Sequence, residues 1–158
     1  MSESGTPYNL EDWAKEHSRD WFELNHQHVP TIVSCVNGTR ESAFVSLMPP
    51  CTIKGCRKEA SEILRDRANI GATELVFIAH DNLNLGDDET ITDPDILNVT
   101  KTEVLFILYQ TTSVERAWAA RVIRTNGGIV ALGSWEKLNF QDPYLSHIFQ
   151  KINIHEWN

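Results

Sequence analysis

The sequence contains little of what usually identifies a secreted domain. It has three cysteines in 158 residues, Cys35, Cys51 and Cys56, which are too few for a disulfide framework. Because three cysteines cannot all pair within one chain, the count favours a reducing compartment. Residues 1–8 lack the basic and apolar regions of a secretory signal, and we expect them to be flexible. These observations predict a cytoplasmic protein.

Motifs of common catalytic folds are also missing. There is no Gly-x-x-x-x-Gly-Lys loop, no Gly-x-Gly-x-x-Gly turn, no Gly-x-Ser-x-Gly elbow and no His-Glu-x-x-His helix. Nucleotide hydrolysis, dinucleotide redox chemistry, esterase chemistry and zincin proteolysis therefore lose their usual sequence support. No cofactor is predicted.

Positive charge is scarce, with 14 Lys and Arg against 22 Asp and Glu and a formal net charge of -8. A field of this sign repels phosphate backbones, so nucleic acid is not an expected partner. The apolar runs are too short to cross a bilayer, so a membrane is not expected either. A hydrophobic content of 41% and a charged content of 23% fit one globular domain over residues 1–158.

Two uninterrupted apolar segments, residues 74–79 and 104–109, are rich in β-branched and aromatic side chains. They predict two buried central strands of one sheet. The Asn-Gly dipeptide at 37–38, between residues 31–36 and 42–47, predicts an antiparallel hairpin. Residues 114–123 fit a helix or a strand, and the turn-like segment that follows, with a return strand at 129–132, favours a strand.

Three segments carry helix signals. Asn9 is a good N-cap for the first, the second covers residues 53–69 before Gly71, and the third opens at Asp142-Pro143. The first helix has an apolar stripe that we expect to lie on the sheet, consisting of Leu10, Trp13, Ala14, His17, Trp21 and Leu24.

The element order is therefore α-β-β-α-β-β-β-α. It predicts an α+β domain with a mostly antiparallel sheet of about five strands and helices packed on it. Residues 81–100 are acidic and rich in turn residues, which predicts a long exposed loop. Its spacing partly matches a calcium-binding loop, but Leu83, Leu85 and Thr92 replace oxygen ligands, so solvated negative surface is the better interpretation.

Candidate metal ligands occur in two pairs, His26-x-His28 and Cys51-x4-Cys56. One pair from each class would complete a tetrahedral zinc site. Against this, Cys56 lies on the apolar stripe of the second helix, where a cysteine behaves as a small hydrophobe. We therefore expect no metal and keep the four residues as an alternative.

A catalytic alternative uses His80 and Asp81 at the end of a buried strand. Cys56 lies in the first turn of a helix beside two basic residues, an environment that lowers a thiol pKa, and His80 could act as its base. This arrangement, or a metal held by His26 and His28, would be typical of a hydrolase.

The leading hypothesis is a small acidic protein that is not an enzyme and acts by contact with another protein, as a homo-oligomer, inhibitor or adaptor. Trp is over-represented among interface anchors. The predicted interaction residues are Trp135, Trp157, Asp87, Asp88 and Glu89. A third interpretation places an anionic ligand between Arg121 and Arg124, although pairing of these arginines with surface acids is the more ordinary role.

Overall fold

The structure, a computed structural model, describes residues 9–36, 39–47, 53–83, 102–125, 128 and 130–150. The helices and strands are α1 Leu10–Asn25, β1 Thr31–Val36, β2 Thr39–Leu47, α2 Ile53–Asn69, β3 Glu74–Leu83, β4 Thr102–Thr111, β5 Glu115–Arg124 and β6 Val130–Leu138. A last helical segment occupies residues 148–150. The predicted element order and α+β class are confirmed.

The strands form one antiparallel sheet in the order β2-β1-β3-β4-β5-β6. The two predicted core strands, β3 and β4, pair along their whole length from Glu74 with Thr111 to Leu83 with Thr102. The hairpin of β1 and β2 is confirmed, and residues 115–124 form a strand. The sheet has six strands where about five were expected, because β6 pairs with β5 as a separate strand that runs on to Leu138.

The helices cover opposite faces of the sheet. Successive strand residues point to opposite sides, so β3 and β4 each contribute to two cores. On one side α1 packs on a cluster that includes Val76, Ile78 and Leu105. On the other side α2 and residues 145–149 pack on a cluster that includes Phe77, Phe106 and Leu108. Any pair of neighbouring residues on β3 is therefore divided between two layers.

Helix α1 is rotated relative to the sequence-based expectation. Its buried residues are Leu10, Glu11, Ala14, Ser18 and Phe22. Small side chains at 14 and 18 let the helix approach the sheet closely, and the Ser18 hydroxyl is satisfied by the Ala14 carbonyl at 2.5 Å. Leu10 and Ala14 of the predicted stripe are buried as expected, but its larger members are turned to the side, and His17, which we expected in the core, is exposed.

Strand β3 is longer than predicted and includes Asp81 to Leu83, so the first residues of the predicted 81–100 loop are part of the sheet. Residues 84–101, with Asp87, Asp88 and Glu89, lie outside the described residues. At the C-terminal end, Asp142 accepts hydrogen bonds from the backbone N–H groups of Tyr144 and Leu145 at 2.8 and 3.1 Å. These bonds stabilise turns over residues 143–147, and the helix begins at 148 and not directly after Asp142 as predicted.

The expected absence of disulfides is wrong. Cys56 is disulfide-bonded, whereas Cys35 is a buried cysteine that takes part in no disulfide. Cys51 lies outside the described residues. Because disulfides are uncommon in reducing compartments, the cysteine count no longer supports a cytoplasmic location.

Candidate functional site

Helix α1 is fixed to the sheet along one flank by a buried polar network. Glu11 accepts two hydrogen bonds from Arg116, both at 2.8 Å, and one from the Trp118 indole N–H at 2.7 Å. Burial alone would raise the pKa of Glu11, but the bonds from Arg116 and Trp118 and the charge of Lys15 outweigh it and lower that pKa. The carboxylate is thus held in its charged form.

Two basic side chains extend this flank towards β6. The Lys15 ammonium lies 3.3 Å from the centre of the Trp118 ring. The Arg19 guanidinium lies over Trp135 and donates to the carbonyls of Leu132 and Gly133 at 3.3 and 2.7 Å. Lys15 and Arg19 are therefore directed at the sheet, which fixes the rotation of α1.

The opposite flank of α1 presents apolar and aromatic side chains, three of which are exposed. We call this set, Trp13, His17, Trp21 and Leu24, the aromatic row. The rings of Trp13 and His17 stack at 4.5 Å with an interplanar angle of 10°, and His17 lies 6.3 Å from Trp21. Exposure rises along the row: Trp13 is partly buried, Trp21 is 46% exposed and Leu24 is 81% exposed.

A line of carboxylates runs beside the aromatic row on its solvent side. We call this set, Asp12, Glu16, Asp20 and Glu23, the acidic row; all four are exposed. Its spacing of four, four and three residues places the members on one stripe of α1. Within the described residues none of the four carboxylates takes part in an ion pair.

At the end of the aromatic row, His28 is buried with an unsatisfied ring nitrogen. Its Nδ1 lies 2.7 Å from the Val29 carbonyl, while Nε2 has no hydrogen-bond partner among the residues that the structure describes. The His28 and Trp21 rings are 6.4 Å apart. Burial lowers the pKa of His28, and the nearby His17 and His80 lower it further against the effect of the Val29 carbonyl.

Beneath the C-terminal turn of α1, β3, β4 and β5 bring together His80, Glu103 and Arg124. His80 Nε2 lies 2.6 Å from Glu103, and Arg124 donates two hydrogen bonds to the same carboxylate at 2.8 and 2.6 Å. The bonds from Arg124 hold the pKa of Glu103 below its usual range against partial burial, and the His80 bond adds to this. Phe22 meets the His80 ring edge-on at 4.9 Å.

The catalytic alternative is not assembled by this fold. Asp81 lies on the other face of the sheet from His80 and accepts a hydrogen bond from the Ile53 N–H at 2.6 Å, which caps α2. Cys56 belongs to the core on that same face, and its disulfide leaves no thiolate. Among the described residues His80 therefore has a carboxylate partner, Glu103, but no nucleophile in contact.

The candidate zinc ligands that the structure describes do not lie together either. His26 is the exposed C-cap of α1, while Cys56 lies across the sheet from His28. No three His, Cys, Asp or Glu side chains in the described part of the chain group together as a metal site requires.

The two arginines of the anion-site interpretation do not converge. Arg124 pairs with Glu103 on the α1 face, and Arg121 pairs with Glu136 at 2.8 Å. Since Arg121 is opposite the α2-facing Val104, the two guanidinium groups lie on different faces of the sheet. Each has the ordinary role of pairing with an acid.

The predicted interaction residues also change. Trp135 is partly buried against the α1-side core, whereas Trp21, expected in the core, is exposed. Trp157 lies outside the described residues. The sequence shows the four-residue repeat of Trp13, His17 and Trp21, but we assigned it to the core, whereas the repeat that is buried is the parallel one of Leu10, Ala14 and Ser18.

None of the described helices is long and apolar enough to span a membrane. In comparisons with known proteins, no family model, no curated protein and no solved structure matches this chain.

Proposed function

We propose that this protein acts by binding another protein through the aromatic row of α1. The observation that carries the proposal is the exposure of Trp21 and Leu24 in line with the stacked rings of Trp13 and His17. Large apolar side chains that adjoin on a surface are typical of interaction sites, and Trp is frequent among interface anchors.

The attachment of α1 supports a docking role. Glu11, Lys15 and Arg19 hold the helix from its other flank, so the aromatic row is presented on a fixed element. A preorganised surface loses less conformational entropy when a partner binds. Stacking of His17 on the Trp13 indole limits its side-chain freedom in the same way.

A photo-crosslinking residue at Leu24 tests the proposal in an extract of the source cells. The matched control is the same residue at Ile70, which is 66% exposed on α2. We expect a discrete adduct from position 24 that disappears when Trp21→Ala is added, and none from position 70. Equal labelling from both positions would contradict the proposal, and an adduct of two copies of this chain would identify self-association instead.

A further inference from the structure

Resting on the proposed function, we infer that the partner presents a basic amphipathic segment, with apolar side chains on the aromatic row and Lys or Arg side chains on the acidic row. The two rows run side by side along α1 from Asp12 to Leu24. A segment that binds both would cover about 18 Å of helix length. Successive carboxylates lie about 6 Å apart, which sets the spacing of the cations.

The acidic row is unfavourable for the protein alone. Asp12, Glu16 and Asp20 are like charges at four-residue spacing, which destabilises a helix by about 0.2–0.5 kcal/mol per pair. Glu23 lies in the last turn of α1, where the helix dipole disfavours an anion and where there is no basic residue. The two cations of the same helix, Lys15 and Arg19, are directed away from the acidic row, Lys15 at Trp118 and Arg19 at β6.

Charges that destabilise their own helix, as the acidic row does, are expected at a functional surface, where a partner compensates for them. A cationic partner would supply the missing compensation. His28 gives a second, independent sign at the same place: its ring lies 6.4 Å from that of Trp21, and its buried Nε2 atom has no hydrogen-bond partner among the described residues. The surface thus combines exposed apolar area with carboxylates that form no ion pair within the described part of the chain.

The probe is a short fluorescently labelled amphipathic helix of Leu and Lys, compared with a Leu/Glu counterpart and a neutral Leu/Ser counterpart by anisotropy at low and raised salt. One protein variant carries Glu16→Gln, Asp20→Asn and Glu23→Gln. The matched control carries Glu59→Gln, Glu62→Gln and Asp66→Asn on α2, which removes the same number and type of exposed carboxylates.

We expect the Leu/Lys peptide to bind the wild type, to bind the α1 variant about tenfold more weakly, and to bind the α2 variant nearly as the wild type. Trp21→Ala should also weaken binding, and raised salt should remove most of the difference between the α1 and α2 variants. Equal loss in the two triple variants would show that only net charge matters and would overturn the inference.

The remaining outcomes separate the inference from the proposed function. Binding of all three peptides with equal affinity and with dependence on Trp21 would keep a docking surface and refute its preference for cations. Binding of the protein to phosphatidylcholine vesicles through Trp21, without binding of the Leu/Lys peptide, would replace a protein partner by a lipid surface. Absence of peptide binding together with absence of a crosslink from Leu24 would refute both.

Discussion

Glu11 of α1 and Arg116 of β5 form a two-pronged ion pair, with both N–O distances at 2.8 Å and the Glu11 side chain only 10% exposed. The pair joins the first turn of a helix to a strand more than a hundred residues later in the chain, as the separation of 105 residues shows. It fixes the rotation that places the aromatic row at the surface.

Glu11→Ala should lower the free energy of unfolding by about 1–3 kcal/mol, because the Trp118 indole N–H and the half-exposed Arg116 lose their acceptor. Glu11→Gln keeps an acceptor for Trp118 without the charge, and its loss should be smaller. Urea denaturation measures both, and Glu62→Ala on the exposed side of α2 is the control, expected within about 0.5 kcal/mol of wild type. Equal effects for Glu11→Ala and Glu62→Ala would show that the network does not hold α1.

The triple variant of the acidic row should be more stable than the wild type. Removing the charges of Glu16, Asp20 and Glu23 relieves the like-charge pairs and the unfavourable dipole interaction, for a gain of about 0.5–1 kcal/mol in urea at low salt. The α2 triple should gain less, since its acids alternate with Lys58 and Arg65 at helical spacing. A loss of stability in the α1 triple would mean that these carboxylates have a structural role.

Asp81→Ala should lower the free energy of unfolding by about 1 kcal/mol, because the N-terminal end of α2 loses the acceptor of the Ile53 N–H. Asn82→Ala, at the exposed neighbouring position, is the matched control and should change the urea midpoint little. An Asp81→Ala variant as stable as the wild type would show that Asp81 does not stabilise the N-terminal end of α2.

Stability should fall on acidification in a way that depends on His28. Because the pKa of His28 is lowered in the folded state, the unfolded chain takes up a proton there first, and unfolding is favoured as pH falls below the usual value of 6.5. Denaturation between about pH 7.5 and about pH 5 should show a shallower decline for His28→Phe than for the wild type. The control His26→Asn keeps a residue that tolerates the left-handed C-cap. Parallel curves for His28→Phe and wild type would exclude His28 as a source of acid sensitivity.

Counting reactive thiols before and after reduction tests the disulfide directly. The sequence has three cysteines, of which Cys35 is outside the disulfide and Cys56 is in it, so iodoacetamide under denaturing conditions should add one label before reduction and three after it. Reduction should also lower the urea midpoint of the wild type but not that of Cys56→Ser. Three labels without reductant would show that the disulfide is absent from the purified protein.

The sequence was sufficient for the elements that local signals determine. Apolar runs identified β3 and β4, Asn9 was recognised as a cap, and the turn-like residues after 124 favoured β5 as a strand. The rotation of α1 was not predictable from hydrophobicity alone, because Trp13 and Trp21 rank as core residues as readily as Ala14 does. The deciding contacts, Glu11 with Arg116 and Arg19 with β6, join distant parts of the chain.

The candidate site could not be predicted fully from the sequence for the same reason. His80 and Asp81 are adjacent in sequence, yet the pleat sends one to Glu103 and the other to α2. Because His80 and Asp81 are adjacent in sequence, we interpreted them as a catalytic pair, but on a strand they point to opposite faces of the sheet. The acidic row is visible in the sequence only once the buried face of α1 is known, because only then does it become clear which carboxylates remain in water.

Strand β6 is at the margin of the sheet, where an open row of carbonyl and amide groups could recruit a strand from another molecule. Its pairing with β5 is irregular between Leu132 and Trp135, and the Arg19 guanidinium already engages the carbonyls of Leu132 and Gly133 there. The regular ladder that amyloid-like addition requires is thereby interrupted. Arg19 of α1 thus protects the edge strand β6 against aggregation, and Arg19→Ala variants should be tested for fibre formation.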